Sequence, residues 1–270
     1  LVMMVFAAVK KIDPAQLADT SVLFENGFDN NLYLFLAILT FGIGDLGIWV
    51  VVRFMHKRAF LTLITPWKKL NWKKIFTAFF IFLAMTAVSE GIAYYVNPDN
   101  YVLQFQPVPF IILLLITVLV MPLQTSFEEL LFRGYLMQGF SLLFRNTLPA
   151  LIVTSVFFAL MHSGNPEVSK FGFWTMFPYY CGFGLMLGFI TLQDKSLEIS
   201  LAVHAANNMF SSLFITFNGS ALETDAIFLQ KEMDPAQMMP FYFATMFIFL
   251  LICSFVFGWW KKKTPETTHA

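Results

Sequence analysis

Residues 110–140 read FIILLLITVLVMPLQTSFEELLFRGYLMQGF, an apolar run that carries Gln124, Glu128, Glu129 and Arg133 from its middle onward. The run is long enough to cross a bilayer, which takes about 20 apolar residues in helical form. An ionisable side chain held in hydrocarbon costs roughly 2.5 to 3.5 kcal/mol on insertion scales, so chains keep such groups where they pair, line a wet cavity or do chemistry. His162, His204 and Asn208 raise the same question in later apolar stretches. The pattern predicts a site inside a membrane protein.

Composition supports that setting. Hydrophobic residues make up 58% of the 270 and charged residues 13%, against about 25% charged in an ordinary soluble domain. Mean hydropathy is +0.69. Apolar stretches run over residues 1–9, 32–55, 75–96, 110–140, 148–162, 173–192, 197–217 and 241–260. The predicted fold class is all-α: a polytopic transmembrane helix bundle of about eight membrane helices, integral and multi-pass. Residues 1–9 are too short to span as a helix. They read as the tail of a truncated first helix or as a short interfacial or signal-like segment. Formal net charge is zero and no long Lys/Arg run occurs, which argues against a nucleic-acid partner. Cys181 and Cys253 lie in separate apolar stretches, as buried small residues rather than a disulfide framework.

Orientation follows from the basic residues. If the loop after the second span is cytoplasmic, it holds Arg53, Lys57, Arg58, Lys68, Lys69, Lys73 and Lys74. Alternation then adds Arg133, Arg145, Lys195 and Lys261, Lys262 and Lys263, leaving Lys10, Lys11, Lys170 and Lys231 outside. The positive-inside rule favours this arrangement, with a cytoplasmic C-terminus. Residues 67–74 interleave Trp and Lys, as an interfacial segment or a plain solvated basic loop does. Pro122 interrupts the hydrogen-bond ladder of the 110–140 run, so a kinked or tilted long helix is expected there. A full reversal at Pro122 would flip every later span.

Helical spacing puts Glu129 and Arg133 on one face, where they can pair, and turns Glu128 about 100° away. Gln124, Glu128 and Tyr135 share a stripe that reads as the wet side of the helix. A helix hairpin around Arg145 to Pro149 places Glu128 and His162 at one depth, because each lies 17 residues from Arg145. Phe158, one turn before His162, can pack beneath its imidazole. Ser200, His204, Asn208 and Ser211 or Ser212 recur every three or four residues, a stripe that must face protein or water. Gly184 and Gly188 form a small-x-x-x-small pair for close helix packing. Each feature has a bland counterpart: glutamates that only neutralise arginines, an interfacial histidine, interhelical hydrogen bonds.

Taken in order, E-E-x-x-x-R, F-x-x-x-H and H-x-x-x-N over residues 124–217 resemble the CAAX protease and bacteriocin-processing (CPBP, or Abi) family of intramembrane endopeptidases. The resemblance implies that Glu128 activates water with His162 beside it, and that His204 and Asn208 donate to the developing oxyanion. Glu129, Arg133 and Phe158 would support them. The expected division is N-terminal membrane helices and a basic interfacial loop (1–106), core helices that the resemblance makes catalytic (107–217), and an extramembrane loop, last helix and basic tail (218–270). The implied activity is hydrolysis of a peptide bond in a membrane-associated protein or peptide, either a prenylated tail or a peptide precursor. Membrane lipid and a peptide or lipidated protein are the implied partners.

Hydrolysis without a nucleophilic side chain needs a base for water and fixed donors for the oxyanion, which these residue types supply. No cofactor is expected. A carboxylate with two histidines is also a zinc set, but H-E-x-x-H is absent and Asn208 stands where a second helix-borne histidine would be. The alternatives are a non-catalytic immunity or scaffold protein that binds a peptide and, since Asp45 and Glu90 also lie in apolar stretches, a transporter. No broken-helix repeat supports the last.

Overall fold

The computed structural model describes residues 2–13, 22–23 and 26–260. The chain is a helix bundle. Its elements are α1 (Val2–Lys10), α2 (Asn30–Val50) with a π turn to Met55, α3 (Leu61–Ile64), α4 (Trp72–Val96), α5 (Pro107–Leu119), α6 (Met121–Glu129), α7 (Met137–Phe144), α8 (Thr147–Met161), α9 (Pro166–Phe171), α10 (Phe173–Asp194), α11 (Glu198–Leu213) and α12 (Pro235–Val256). A π turn, Leu130–Leu136, joins α6 to α7. The boundaries follow local chemistry: Asp29, Asn71, Asn146 and Asp234 accept from first-turn amides, and Pro107, Pro166 and Pro235 open helices where no amide is needed.

Each of the eight apolar stretches contains a helix, although Leu1 and the basic Lys261, Lys262 and Lys263 lie outside the described residues. Among the described residues, five helical segments are long and apolar enough to cross a membrane: Asn30–Met55, Trp72–Val96, Pro107–Phe144, Phe173–Asp194 and Pro235–Val256. Their outward faces are apolar; Ile43, Phe80, Ile92, Leu119, Phe247 and Phe255 are all more than half exposed, as lipid-facing side chains are. Two stretches differ from the expected span. Helix α8 has 15 residues. Helix α11 ends at Leu213, and residues 215–217 form a strand instead.

Pro122 does not reverse the chain. Val120 N still bonds Ile116 O at 2.8 Å and Leu123 N bonds Val120 O at 2.9 Å, so the ladder tightens and continues. Helices therefore alternate direction. The connections 56–71, 145–146 and 195–197 lie at one end, while 97–106, 162–172 and 214–234 lie at the other. The first end carries most of the Lys and Arg side chains. The second carries a small sheet in the order β1-β3-β2: β1 (Tyr101–Leu103) pairs antiparallel with β3 (Phe228–Gln230), and β2 (Ile215–Phe217) pairs parallel with it. Glu90, at that end of α4, is hydrogen-bonded by Tyr101; burial and the neighbouring carboxylate push the Tyr101 phenol up to about 12.

Helix α11 sits at the centre, packed against α4, α5, α6 and α10. Its polar stripe explains the position, since Ser200, His204, Asn208 and Ser212 are all buried and hydrocarbon offers them no partners. Around its apolar positions lies a core that includes Phe132, Phe158, Phe183, Leu187, Ile199, Val203 and Phe249. The glycine pair of α10 faces α8: a Cβ on Gly184 would lie 3.1 Å from the Ser155 Cα, and one on Gly188 would lie 2.3 Å from Leu151 Cδ1. Those two glycines set how closely the His162 helix approaches α10.

Candidate active site

Glu128, His162, His204 and Asn208, named from sequence, meet in one cluster within the bundle, with His162 at the end of α8 away from the basic loops. Glu128 Oε2 lies 3.6 Å from His204 Nε2 and 3.8 Å from His162 Nε2. These separations exceed a direct hydrogen bond and suit a small group held between. Oε2 is buried and has no hydrogen-bond partner among the described residues. The other oxygen, Oε1, accepts from Gln124 Nε2 at 3.0 Å. Gln124 Oε1 in turn accepts from Asn208 Nδ2 at 3.1 Å. Gln124 thus orients the base and the amide together, and it leaves the second Asn208 amide hydrogen available.

Each imidazole is fixed through Nδ1. His162 Nδ1 lies 2.7 Å from the Phe158 carbonyl oxygen, which can only accept, so Nδ1 carries the hydrogen. Its ring lies between Phe158, at 4.4 Å, and Tyr180, at 4.5 Å. His204 Nδ1 is 2.7 Å from Glu129 Oε1. Glu129 Oε1 also accepts from Arg133 Nη1 at 2.7 Å, and Arg133 Nη2 donates to the Gly184 carbonyl at 3.3 Å. Both rings therefore present Nε2 to Glu128. The Arg133 guanidinium lies 4.5 Å from the centre of the Phe158 ring, beneath the same cluster.

Sequence reasoning paired Glu129 with Arg133 and missed its second bond, to His204. It also missed Tyr180, whose hydroxyl bonds Glu167 and receives Asn165 Nδ2 at 3.0 Å. Glu167 Oε2 accepts the Ala221 backbone amide at 2.8 Å and so ties the 214–227 connection to the His162 side of the site. A tyrosine and a glutamate inside or beside an apolar run were the available signal. Tyr135, assigned to the wet stripe, instead bonds His56 at 2.9 Å near the basic end. Asp45 has a buried oxygen without a partner among the described residues, and nothing in the structure explains it.

A carboxylate, two imidazoles and an amide are thus gathered between the membrane helices. The family model for the Rce1-like type II CAAX prenyl endopeptidases matches residues 107–210, the segment that carries all four residues. The chain is also 35% identical over 257 residues to "Uncharacterized protein YyaK" of Bacillus subtilis (strain 168), covering 94% of this chain and 81% of that protein. No solved structure matches it significantly. The chain belongs to the CAAX protease (CPBP) family.

Proposed function

We propose that this protein is an intramembrane endopeptidase that hydrolyses a peptide bond of a membrane-associated protein or peptide with Glu128 as the base. The carrying observation is the free Glu128 Oε2, faced by two imidazole nitrogens. A water held there gives one hydrogen to Glu128 and the other to His162 Nε2, which turns its lone pair toward a scissile carbonyl. Glu128 takes that proton as the C–O bond forms and passes it to the leaving amine as the C–N bond breaks. Asn208 Nδ2 donates its second hydrogen to the oxyanion. His204 donates through Nε2, with Glu129 holding its Nδ1 side. Phe158, Glu129 and Arg133 position the rings.

Glu128, His162 and His204 are also the residue types of a His₂Glu zinc site. The proposed steps run through protein groups alone, and the following test decides between them and a zinc-bound water. The test uses purified protein in nanodiscs after prolonged chelation, alongside metal analysis. Activity should persist, while Asn208→Ala should cost roughly 10² to 10³ in rate, the scale of a lost oxyanion donor. Asn208→Asp should also be harmful, because it replaces a donor by an acceptor. Stoichiometric zinc, with activity lost on chelation and regained on adding zinc, overturns the metal-independent mechanism but not the protease assignment.

The Lys and Arg excess at the basic end supports a cytoplasmic location for it. His162 caps its helix at the opposite end, which favours a peptide or membrane-anchored segment presented from outside over a prenylated cytoplasmic tail. Single cysteines introduced at Ser169 and at Lys195, in a background with Cys181 and Cys253 replaced, check this in intact cells. An impermeant thiol reagent should modify the cysteine at 169 and spare the one at 195. The reverse labelling inverts the topology and restores the prenylated tail as a substrate class.

A further inference from the structure

Away from the site, a groove of about 610 Å³ opens at the basic end between residues 58–66, α7 and the 191–197 turn. Its lining holds Arg58, Arg133 and Lys195 but no Asp or Glu. Arg133 is spoken for by Glu129 and Gly184 O. Arg58 and Lys195 are exposed, and neither has a carboxylate partner among the described residues. The acids nearest in sequence to Lys195, Asp194 and Glu198, are both taken up by Lys74, at 2.9 and 2.8 Å. A second hollow, of about 520 Å³, shares Ser141, Leu142 and Thr147 with the groove and adds Arg145.

Thr65 points to what the groove holds. It lines the cavity, is only 2% exposed, and its hydroxyl has no hydrogen-bond partner among the described residues. Most buried side-chain polar atoms have a partner; the Thr117 and Ser212 hydroxyls also lack one among the described residues, but of the three only Thr65 lines this groove. Lys195 and Arg145 both adopt a left-handed backbone, with φ of 60° and 52°, where glycine or asparagine is the less strained choice. Lys195 lines the groove and Arg145 the adjoining hollow; Lys11 and Lys57 adopt the same backbone elsewhere. The groove's rim is apolar: Leu142 is 81% exposed.

We propose that this groove binds the phosphate-bearing headgroup of an anionic membrane lipid, with Arg58 and Lys195 as the charge partners and the Thr65 hydroxyl as a donor. The acyl chains lie along the Leu142 rim. Phosphate monoanion is the shared chemistry, and a free phosphate ion is the other source.

The full chain is reconstituted in nanodiscs of phosphatidylcholine alone or mixed with phosphatidylglycerol, and its thermal unfolding midpoint is measured. A parallel arm in neutral detergent adds inorganic phosphate against chloride at matched ionic strength. The wild-type midpoint should rise with phosphatidylglycerol, and Arg58→Gln with Lys195→Asn should remove most of that rise; asparagine tolerates the left-handed backbone at 195. Thr65→Val matches threonine in shape, so it should reduce the rise while leaving the midpoint in phosphatidylcholine unchanged or higher. Lys68→Gln with Lys69→Gln, outside the groove, should keep it. A rise with phosphatidylglycerol alone identifies the lipid as ligand, whereas an equal rise with inorganic phosphate identifies the free ion and overturns the lipid. No rise in the wild type, the same rise in the Arg58/Lys195 variant, or an equal loss in the Lys68/Lys69 variant overturns the site.

Discussion

Replacing Glu128 by Gln should abolish peptide cleavage and leave the bundle folded. The amide keeps the shape of the side chain and can still accept at the position of Oε1, so the bond from Gln124 Nε2, 3.0 Å in the parent, survives. What disappears is the proton-accepting oxygen that faces both imidazoles at 3.6 and 3.8 Å. Loss of a general base costs about 10² to 10⁴ in rate, and here the same group also returns the proton to the leaving amine, so the fall should be at least 10². The measurement is turnover of a membrane-anchored peptide reporter in nanodiscs, at matched protein concentration and with the unfolding midpoint recorded. Wild-type turnover by the Gln variant would support the scaffold reading in place of the protease.

The second large effect separates fold from function at the buried ion pair. Glu129 is 0% exposed and Arg133 is 2% exposed. Glu129→Leu alone strands a guanidinium in the core, which should cost about 3 to 5 kcal/mol of stability. Combining it with Arg133→Met should recover most of that, because a buried pair replaced by apolar side chains of similar volume is often neutral. Cleavage should not recover. His204 has lost the carboxylate that held Nδ1 at 2.7 Å, and orienting carboxylates of this kind contribute about 10² to 10⁴ in rate. The unfolding midpoint and the reporter assay together check the prediction. A double variant that is folded and cleaves normally would remove Glu129 from the positioning of His204.

Local sequence was enough wherever the helix period carries the contact. Glu129 and Arg133 are i and i+4, as are Phe158 and His162, so their pairing follows from helix geometry alone. The common depth of Glu128 and His162 follows from counting residues on either side of a short hairpin. The buried placement of α11 follows from its polar stripe, because no lipid-facing helix can satisfy Ser200, His204 and Asn208 at once. The apolar exterior and the kinked, unreversed 107–144 segment belong to the same class of inference.

Rotation of one helix about its axis relative to another was beyond that reach, and three site contacts depend on it. The π turn over Leu130–Leu136 shifts the angular phase below Glu129, which a constant 3.6-residue period does not anticipate. Close approach at Gly184, where a Cβ would meet the Ser155 backbone at 3.1 Å, fixes how α8 faces α10 and so lets Tyr180 lie against His162. Packing of α11 against α6 brings His204 Nδ1 to Glu129 and Asn208 to Gln124. The sequence by itself determined which residues are polar within the membrane helices and at what depth they lie. Only the tertiary structure decided which oxygen faces which nitrogen, because that choice rests on side-chain packing between segments up to 84 residues apart.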